Sequence, residues 1–208
     1  MTTLPSRLYL IVDPLDTGRD PLVLTRAMLA GGARLLQLRL KTTASGDLLA
    51  TALAIRELTA AAGATFLVND RADVARACGA DGVHLGQDDM PPEQARRLLG
   101  PDALIGVSVR TADEARQAEL AGASYLAANG IWATVTKTDF GEPLGVDMLV
   151  RLARATRLPL VAIGGIHAGN AAEIRRAGAS GIAVVSAVMA APDPEAACRE
   201  LRAAFGAG

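Results

Sequence analysis

Asp70 and Asp89 each follow a short apolar run, Phe66-Leu67-Val68 before the first and Val83-His84-Leu85 before the second. If those runs are consecutive parallel strands, both carboxylates are delivered to the same end of a sheet. Paired acids placed that way commonly hold a divalent cation. Their oxygens suit Mg²⁺, which keeps several waters and shares itself between one or two carboxylates and a substrate phosphate. The competing reading is that the acids cap the helices that follow. It applies most to Asp88 and Asp89, since Met90-Pro91-Pro92-Glu93 has the form of a helix start.

Cations lie close by in the pattern. Leu36-Gln37-Leu38-Arg39-Leu40-Lys41 alternates, so Gln37, Arg39 and Lys41 share one face and the leucines the other. With the leucines under helices, an amide and two cations point inward, where burial without an anionic partner is costly. A bound anion would be that partner. Asn69 precedes Asp70, and Ser108 closes Ile105-Gly106-Val107-Ser108, where its hydroxyl could bond an oxyanion. The long connection from Gly130 to Gly145 carries Thr134, Thr136 and Lys137. Connections of this length are often binding loops, and its lysine could clamp a phosphate as the loop closes. Gly164-Gly165 and Val184-Val185-Ser186 close two later apolar runs, where glycines would let backbone amides approach an anion. Two anion sites of this kind fit a diphosphate and a monophosphate.

Other reactive side chains point elsewhere. His84, between Val83 and Leu85, reads as a hydrogen-bonded interior histidine, and His167 as a solvated loop residue. Cys78 and Cys198 lie far apart in helix-like segments and read as packing residues. With only two histidines the chain has little room for a His-rich metal site.

The elements that must position these groups alternate along the chain. Strand-like runs are Leu8–Asp13, Leu35–Leu40, Thr65–Asp70, Gly82–Leu85, Leu104–Val109, Ser124–Asn129, Pro159–Gly165 and Gly181–Ser186. Helical spacing falls between and after them, over Leu22–Ala30, Gly46–Ala62, Ala72–Ala77, Pro92–Leu99, Ala112–Leu120, Val146–Ala155, Ala171–Arg176 and Glu195–Phe205. Thr111-Ala-Asp-Glu and Asp193-Pro194 are start signals; Gly100, Gly122 and Gly178 are stops. Eight such units predict a single (β/α)8 TIM barrel over residues 1–208, with active groups at the C-terminal ends of the strands. An open doubly wound sheet is disfavoured because no Gly-x-Gly-x-x-Gly turn follows the first strand.

Composition agrees. Half the residues are hydrophobic and only 3% aromatic, as short strands under alanine-rich helices require. A formal charge of −1 gives no argument for nucleic acid or an anionic membrane as a partner, so neither is expected and any anion site must be local. Neither a membrane-spanning run nor a signal peptide is seen, so a cytoplasmic location is expected.

Taken in order, the motifs Tyr9-Leu-Ile-Val-Asp13, Gln37-Leu-Arg39-Leu-Lys41, Asn69-Asp70-Arg71 and Gly82-Val-His-Leu-Gly-Gln-Asp-Asp89 resemble those of the thiamine-phosphate synthase (thiamine-phosphate pyrophosphorylase) family. The series continues through Gly106-Val-Ser108, Thr134-Val-Thr-Lys137, Ala162-Ile-Gly-Gly-Ile166 and Val184-Val-Ser186, so the resemblance covers nearly the whole chain. It implies a transferase with small-molecule substrates, which joins a hydroxymethylpyrimidine diphosphate to a thiazole phosphate by a dissociative route. It also implies that Asp70 and Asp89 hold Mg²⁺, that Arg39, Lys41, Asn69, Ser108 and Lys137 grip the diphosphate, and that Gln37 addresses the pyrimidine. Thr134, Thr136, Gly165, Val185 and Ser186 would line the thiazole phosphate site. A homodimer is one assembly open to such a chain. Two places depart from the family pattern: Leu40 replaces its usual Glu, and Asn129-Gly130 replaces Gly-Pro at the root of the long connection. The rival readings are a thiazole tautomerase of the same superfamily and a non-catalytic barrel that binds thiamine precursors.

Overall fold

The computed structural model describes residues 3–14, 17–134 and 141–206. Its elements run β1 (Leu8–Val12), α1 (Pro21–Ala30), β2 (Leu35–Leu38), α2 (Ser45–Ala61), β3 (Thr65–Asn69), α3 (Ala72–Cys78), β4 (Gly82–Leu85) and α4 (Pro92–Leu99). They continue with β5 (Leu104–Val109), α5 (Ala112–Leu120), β6 (Tyr125–Asn129), α6 (Gly145–Ala155), β7 (Leu160–Ile163), α7 (Ala168–Arg176), β8 (Gly181–Val184), α8 (Ser186–Met189) and α9 (Pro194–Phe205). All neighbouring strands pair in parallel, and β8 returns to β1, so the eight strands close into the expected barrel. No helix among the described residues is long and apolar enough to cross a membrane.

Alternation sorts the strand residues into two sets. Leu8, Leu10, Leu36, Leu38, Phe66, Val68, Val83, Leu85, Ile105 and Leu126 are fully buried, and face the helices. Their in-between neighbours fill the lumen. Register carries that inward face around the barrel: Asn69 pairs with His84, His84 with Gly106 and Gly106 with Tyr125. The expected caps are in place, with Thr111 accepting from Glu114 N at 3.1 Å and Asp193 from Ala196 N at 2.9 Å.

Five strands stop earlier than hydrophobicity suggests, each at the C-terminal rim: β1 by one residue, at Val12, and four more, for three of which backbone geometry supplies the reason. β3 ends at Asn69 because Asp70 takes a left-handed φ of 59°. β7 ends at Ile163 because Gly164 and Gly165 have φ of 112° and 65°. β8 gives way at Val185 to the short helix α8, which the sequence reading left out. β2 ends at Leu38, although Arg39 N still donates to Val12 O at 3.0 Å. The chain therefore leaves the sheet where the candidate residues stand, and their side chains fan over the mouth of the barrel.

The opposite rim is tied down by structural polar groups. Asp81 accepts from Phe66 N at 2.8 Å and from Arg56 at 3.0 Å. Arg96 donates to the carbonyls of Pro101 and Gly122 and to Ser124 Oγ, at 2.9, 3.1 and 3.0 Å. Division of labour between the two rims is usual in such barrels.

Candidate active site

A cleft of about 870 Å³, counted out to solvent, opens at the C-terminal rim. Gln37, Arg39, Lys41, Asn69, Asp70, Asp89, Ser108, Thr134, Gly165, Val185 and Ser186 all line it. Thr136 and Lys137 lie outside the described residues.

The acids face one another. Asp70 is raised from 3.8 to about 6, first by burial and then by its hydrogen bond to Asp89 and that carboxylate's charge; Lys41 and Arg39 pull the other way. Two carboxylates this close cannot both ionise freely, and a divalent cation between them would relieve the conflict. Asp89 also accepts from Gly86 N at 2.7 Å, which fixes the carboxylate over the cleft. Neither acid caps a helix: the residues at the cap positions of α3 and α4 are Arg71 and Pro91, and neither makes a side-chain cap bond. Asp88 is exposed and absent from the lining, whereas Asp89 lines the cleft. Among the described residues no cluster of three or more His, Cys, Asp or Glu side chains could hold a metal ion. Asp70 and Asp89 could hold a cation only with further oxygens from outside the protein, a coordination Mg²⁺ accepts.

The cations do not wait for an anion, contrary to the expectation from β2 alone. Arg39 is paired with Asp13, which is 8% exposed at the end of β1. Lys41 Nζ lies 3.6 Å from Asp70 Oδ2. The rim thus carries an alternating set of charges, Asp13, Arg39, Lys41, Asp70 and Asp89.

Beneath the charged groups lies a neutral polar floor. Gln37 Nε2 donates to the Tyr9 hydroxyl at 2.5 Å, the Tyr9 and Tyr125 hydroxyls are 3.0 Å apart, and Tyr125 lies 2.9 Å from His84 Nδ1. His84 Nε2 is 3.0 Å from Ser108 Oγ. His84 is thus the hydrogen-bonded interior residue that its strand position suggested. Burial raises both tyrosine hydroxyls well above their ordinary value, so they stay protonated.

The other side of the cleft is built from backbone. Gly164-Gly165 turns sharply, and the N-terminus of α8 brings Val185 and Ser186 to the rim. Such a pairing of a glycine loop with a short extra helix is a frequent phosphate site in these barrels. The glycines serve a second purpose. A Cβ on Gly164 would sit 2.8 Å from Gly130 Cα, and one on Gly165 2.8 Å from Trp132 Cβ. Only glycine therefore lets the root of the long connection lie against this turn. Arg110 holds both ends of that connection, donating to Asn129 O at 2.9 Å and Glu142 O at 2.6 Å.

The family model described as thiamine monophosphate synthase matches residues 8–188. The chain belongs to that family. Thiamine-phosphate synthase from Moorella thermoacetica is 50% identical over 196 residues, which covers 94% of this chain and 93% of the relative. The enzyme of that name from Albidiferax ferrireducens is 52% identical over 198 residues, covering 94% and 90%. Among solved structures, thiamine phosphate pyrophosphorylase from Pyrococcus furiosus superposes with a TM-score of 0.87 at 39% identity, covering 97% of this chain and 96% of that one. The relatives are named thiamine-phosphate synthases, and that activity is a transferase activity, as the motifs led one to expect.

Within this thiamine monophosphate synthase chain, several cleft residues escaped the motif reading. Asp13 closed a motif but carried no role until Arg39 was seen against it. Tyr9 and Tyr125 are the chain's only two tyrosines, and both lie on the inward face with His84. That coincidence was readable from alternation, yet which tyrosine meets which partner depends on barrel stagger. Asn129 and Gly130, the departures from the family pattern, also line the cleft. His167 is exposed as expected but works as the cap of α7, accepting from Gly169 N at 3.2 Å while Asn170 bonds back to His167 N at 2.9 Å.

Proposed function

We propose that this chain condenses 4-amino-2-methyl-5-hydroxymethylpyrimidine diphosphate with 4-methyl-5-(2-phosphoethyl)thiazole, or its carboxylated form, to give thiamine phosphate and pyrophosphate. The observation that carries the reading is the facing pair Asp70 and Asp89 beside Lys41 and Arg39, across the cleft from the glycine turn and α8. One side suits a diphosphate with its cation, the other a monophosphate.

The bond from the pyrimidine methylene carbon to the diphosphate oxygen breaks first, and its electron pair leaves with pyrophosphate. The ring-stabilised cation that remains is attacked by the thiazole nitrogen. No strong base is needed. Arg39, Lys41, Asn69, Ser108 and Lys137 hold the leaving group and meet the charge that builds on it. Gln37 orients the pyrimidine, while Thr134, Thr136, Gly165, Val185 and Ser186 hold the thiazole phosphate in line for attack. Mg²⁺ held by Asp70 and Asp89 would neutralise diphosphate oxygens. An assay for pyrophosphate release with both substrates and Mg²⁺ tests the reading. Isomerisation of the thiazole carboxylate without pyrophosphate would replace it with a tautomerase, and binding without turnover with a non-catalytic barrel.

A further inference from the structure

The floor of the cleft carries hydrogen-bonding groups, Tyr9, Tyr125 and His84, to which the reading above gives no role. Gln37, Tyr9, Tyr125, His84 and Ser108 form one unbroken line across the barrel, from β2 through β1, β6 and β4 to β5. Its ends are both in the cleft lining, and its middle members, Tyr9 and Tyr125, are fully buried. The backbone makes room for it. Gly106 lies between His84 and Tyr125 in the strand register, and a Cβ there would sit 2.2 Å from the Tyr125 hydroxyl and 2.5 Å from His84 Nδ1. A glycine on an inward position of β5 has no turn to make. It leaves space for that one contact.

Counting protons gives the line a direction. An amide nitrogen only donates, so the Tyr9 oxygen accepts from Gln37. The Tyr9 and Tyr125 hydroxyls are 3.0 Å apart and either can donate across that contact. The relay takes the arrangement in which Tyr9, already an acceptor from Gln37, gives its proton to Tyr125, since a buried hydroxyl proton left unpaired is expensive. The Tyr125 proton passes to His84 Nδ1, which places the imidazole proton on Nε2, aimed at Ser108 Oγ. Ser108 is thereby an acceptor toward His84, and its own proton is released toward the cleft. Turning the Gln37 amide over reverses every link and commits the Ser108 proton to His84.

We propose that Tyr9, Tyr125 and His84 are positioning residues: they form a hydrogen-bond relay that couples the orientation of the Gln37 amide to the orientation of the Ser108 hydroxyl. This rests on the reading above, in which Gln37 meets the pyrimidine and Ser108 the diphosphate. An amino group on the bound ring asks Gln37 for its oxygen, which turns the amide nitrogen to Tyr9. The relay then presents Ser108 as a donor to the departing anion. Correct ring chemistry at one end is in this way signalled to the leaving group at the other, with no movement of the backbone.

The imidazole ¹⁵N spectrum of the full-length protein tests the polarity, with a His167→Ala variant removing the only other histidine signal. The relay requires neutral His84 with its proton on Nε2; a proton on Nδ1 overturns it. Turnover tests its use. Tyr125→Phe should lower kcat about tenfold with KM for the thiazole phosphate unchanged. Ser108→Ala combined with Tyr125→Phe should lose no more than Ser108→Ala alone, because the two act through one hydroxyl. Fully additive losses, or an unaltered kcat in Tyr125→Phe, would overturn the coupling, and circular dichroism of each variant separates either result from misfolding. An unaltered rate in Ser108→Ala would instead remove Ser108 from the diphosphate site; the tautomer would still decide the relay's polarity.

Discussion

The two sides of the cleft face anions with different materials. On the β2–β4 side the groups are side chains of opposite charge: Arg39 against Asp13, Lys41 against Asp70, and Asp70 against Asp89. On the β7–β8 side they are a glycine turn and the start of a short helix, with no charged side chain among the described residues of the lining. A charged rim responds to pH, salt and metal, and any one of its members can be deleted by truncation. A backbone rim responds to none of these, and it is disturbed by adding atoms rather than removing them. The difference suits the proposed reaction, where charge changes on the leaving diphosphate but stays constant on the thiazole phosphate.

Four experiments would break or sharpen that contrast. The largest effect is expected for Asp89→Asn, which should lower turnover roughly 100-fold, as loss of a group that stabilises developing charge does, and flatten the Mg²⁺ dependence of pyrophosphate release. An unchanged Mg²⁺ titration would take the metal off the charged side. Next, Gly165→Ala puts a Cβ 2.9 Å from Ala133 O at a φ of 65°. It should raise KM for the thiazole phosphate about tenfold, which is uniform binding lost with little change in kcat. An equal rise in KM for the pyrimidine diphosphate would show that the two sides do not act separately.

The third experiment concerns stability. Asp70 is raised from 3.8 to about 6 in the fold. Between those values the folded state holds the extra proton, so metal-free stability is greatest at the acid end and falls as pH rises through about 6. Asp70→Asn removes that dependence and should raise Tm at pH 7.5 in the absence of metal, by roughly 2–4 °C for each kcal/mol recovered. A lower Tm would mean that the charged side is a net stabiliser, contrary to the picture of two acids in conflict. The smallest effect belongs to His167→Ala on the backbone side. Loss of the α7 cap should cost about 1 kcal/mol in denaturant unfolding and leave activity within about twofold. A larger loss of activity would bring a side chain into a site described here as backbone.

The contrast also explains what could be read in advance. Strand number, helix order and the charged residues were legible because alternation and acid or base identity are written in single residues, as in Gln37-Leu-Arg39-Leu-Lys41. Pairings were not. Asp13 and Arg39 stand 26 positions apart, and only the pairing of β1 with β2, Val12 against Leu38, sets them together. The tyrosine–histidine floor, with Gln37 and Ser108 at its ends, spans five strands, and its partners depend on stagger. Where strands would stop was misjudged at Asp70, Gly164 and Val185, since hydrophobicity says nothing of a backbone that turns away. The glycines were singled out for the approach of an anion; the Gly130–Trp132 segment packed against them is a second reason for glycine that the sequence did not show.

One consequence of the Arg110 tether concerns how this barrel can change. Arg110 grips Asn129 O and Glu142 O, while Leu144 N and Gly145 N bond back to Gly130 O and Ile131 O at 2.8 and 3.0 Å. The connection therefore closes on itself before it reaches the barrel, like a cartridge in a socket. Doubling the length between its ends adds only about 0.6 kcal/mol of closure entropy, and the socket shields the strands from whatever is inserted. New substrate contacts could be tried in that interval by insertion or exchange while the eight-stranded frame and its charged rim stay as they are.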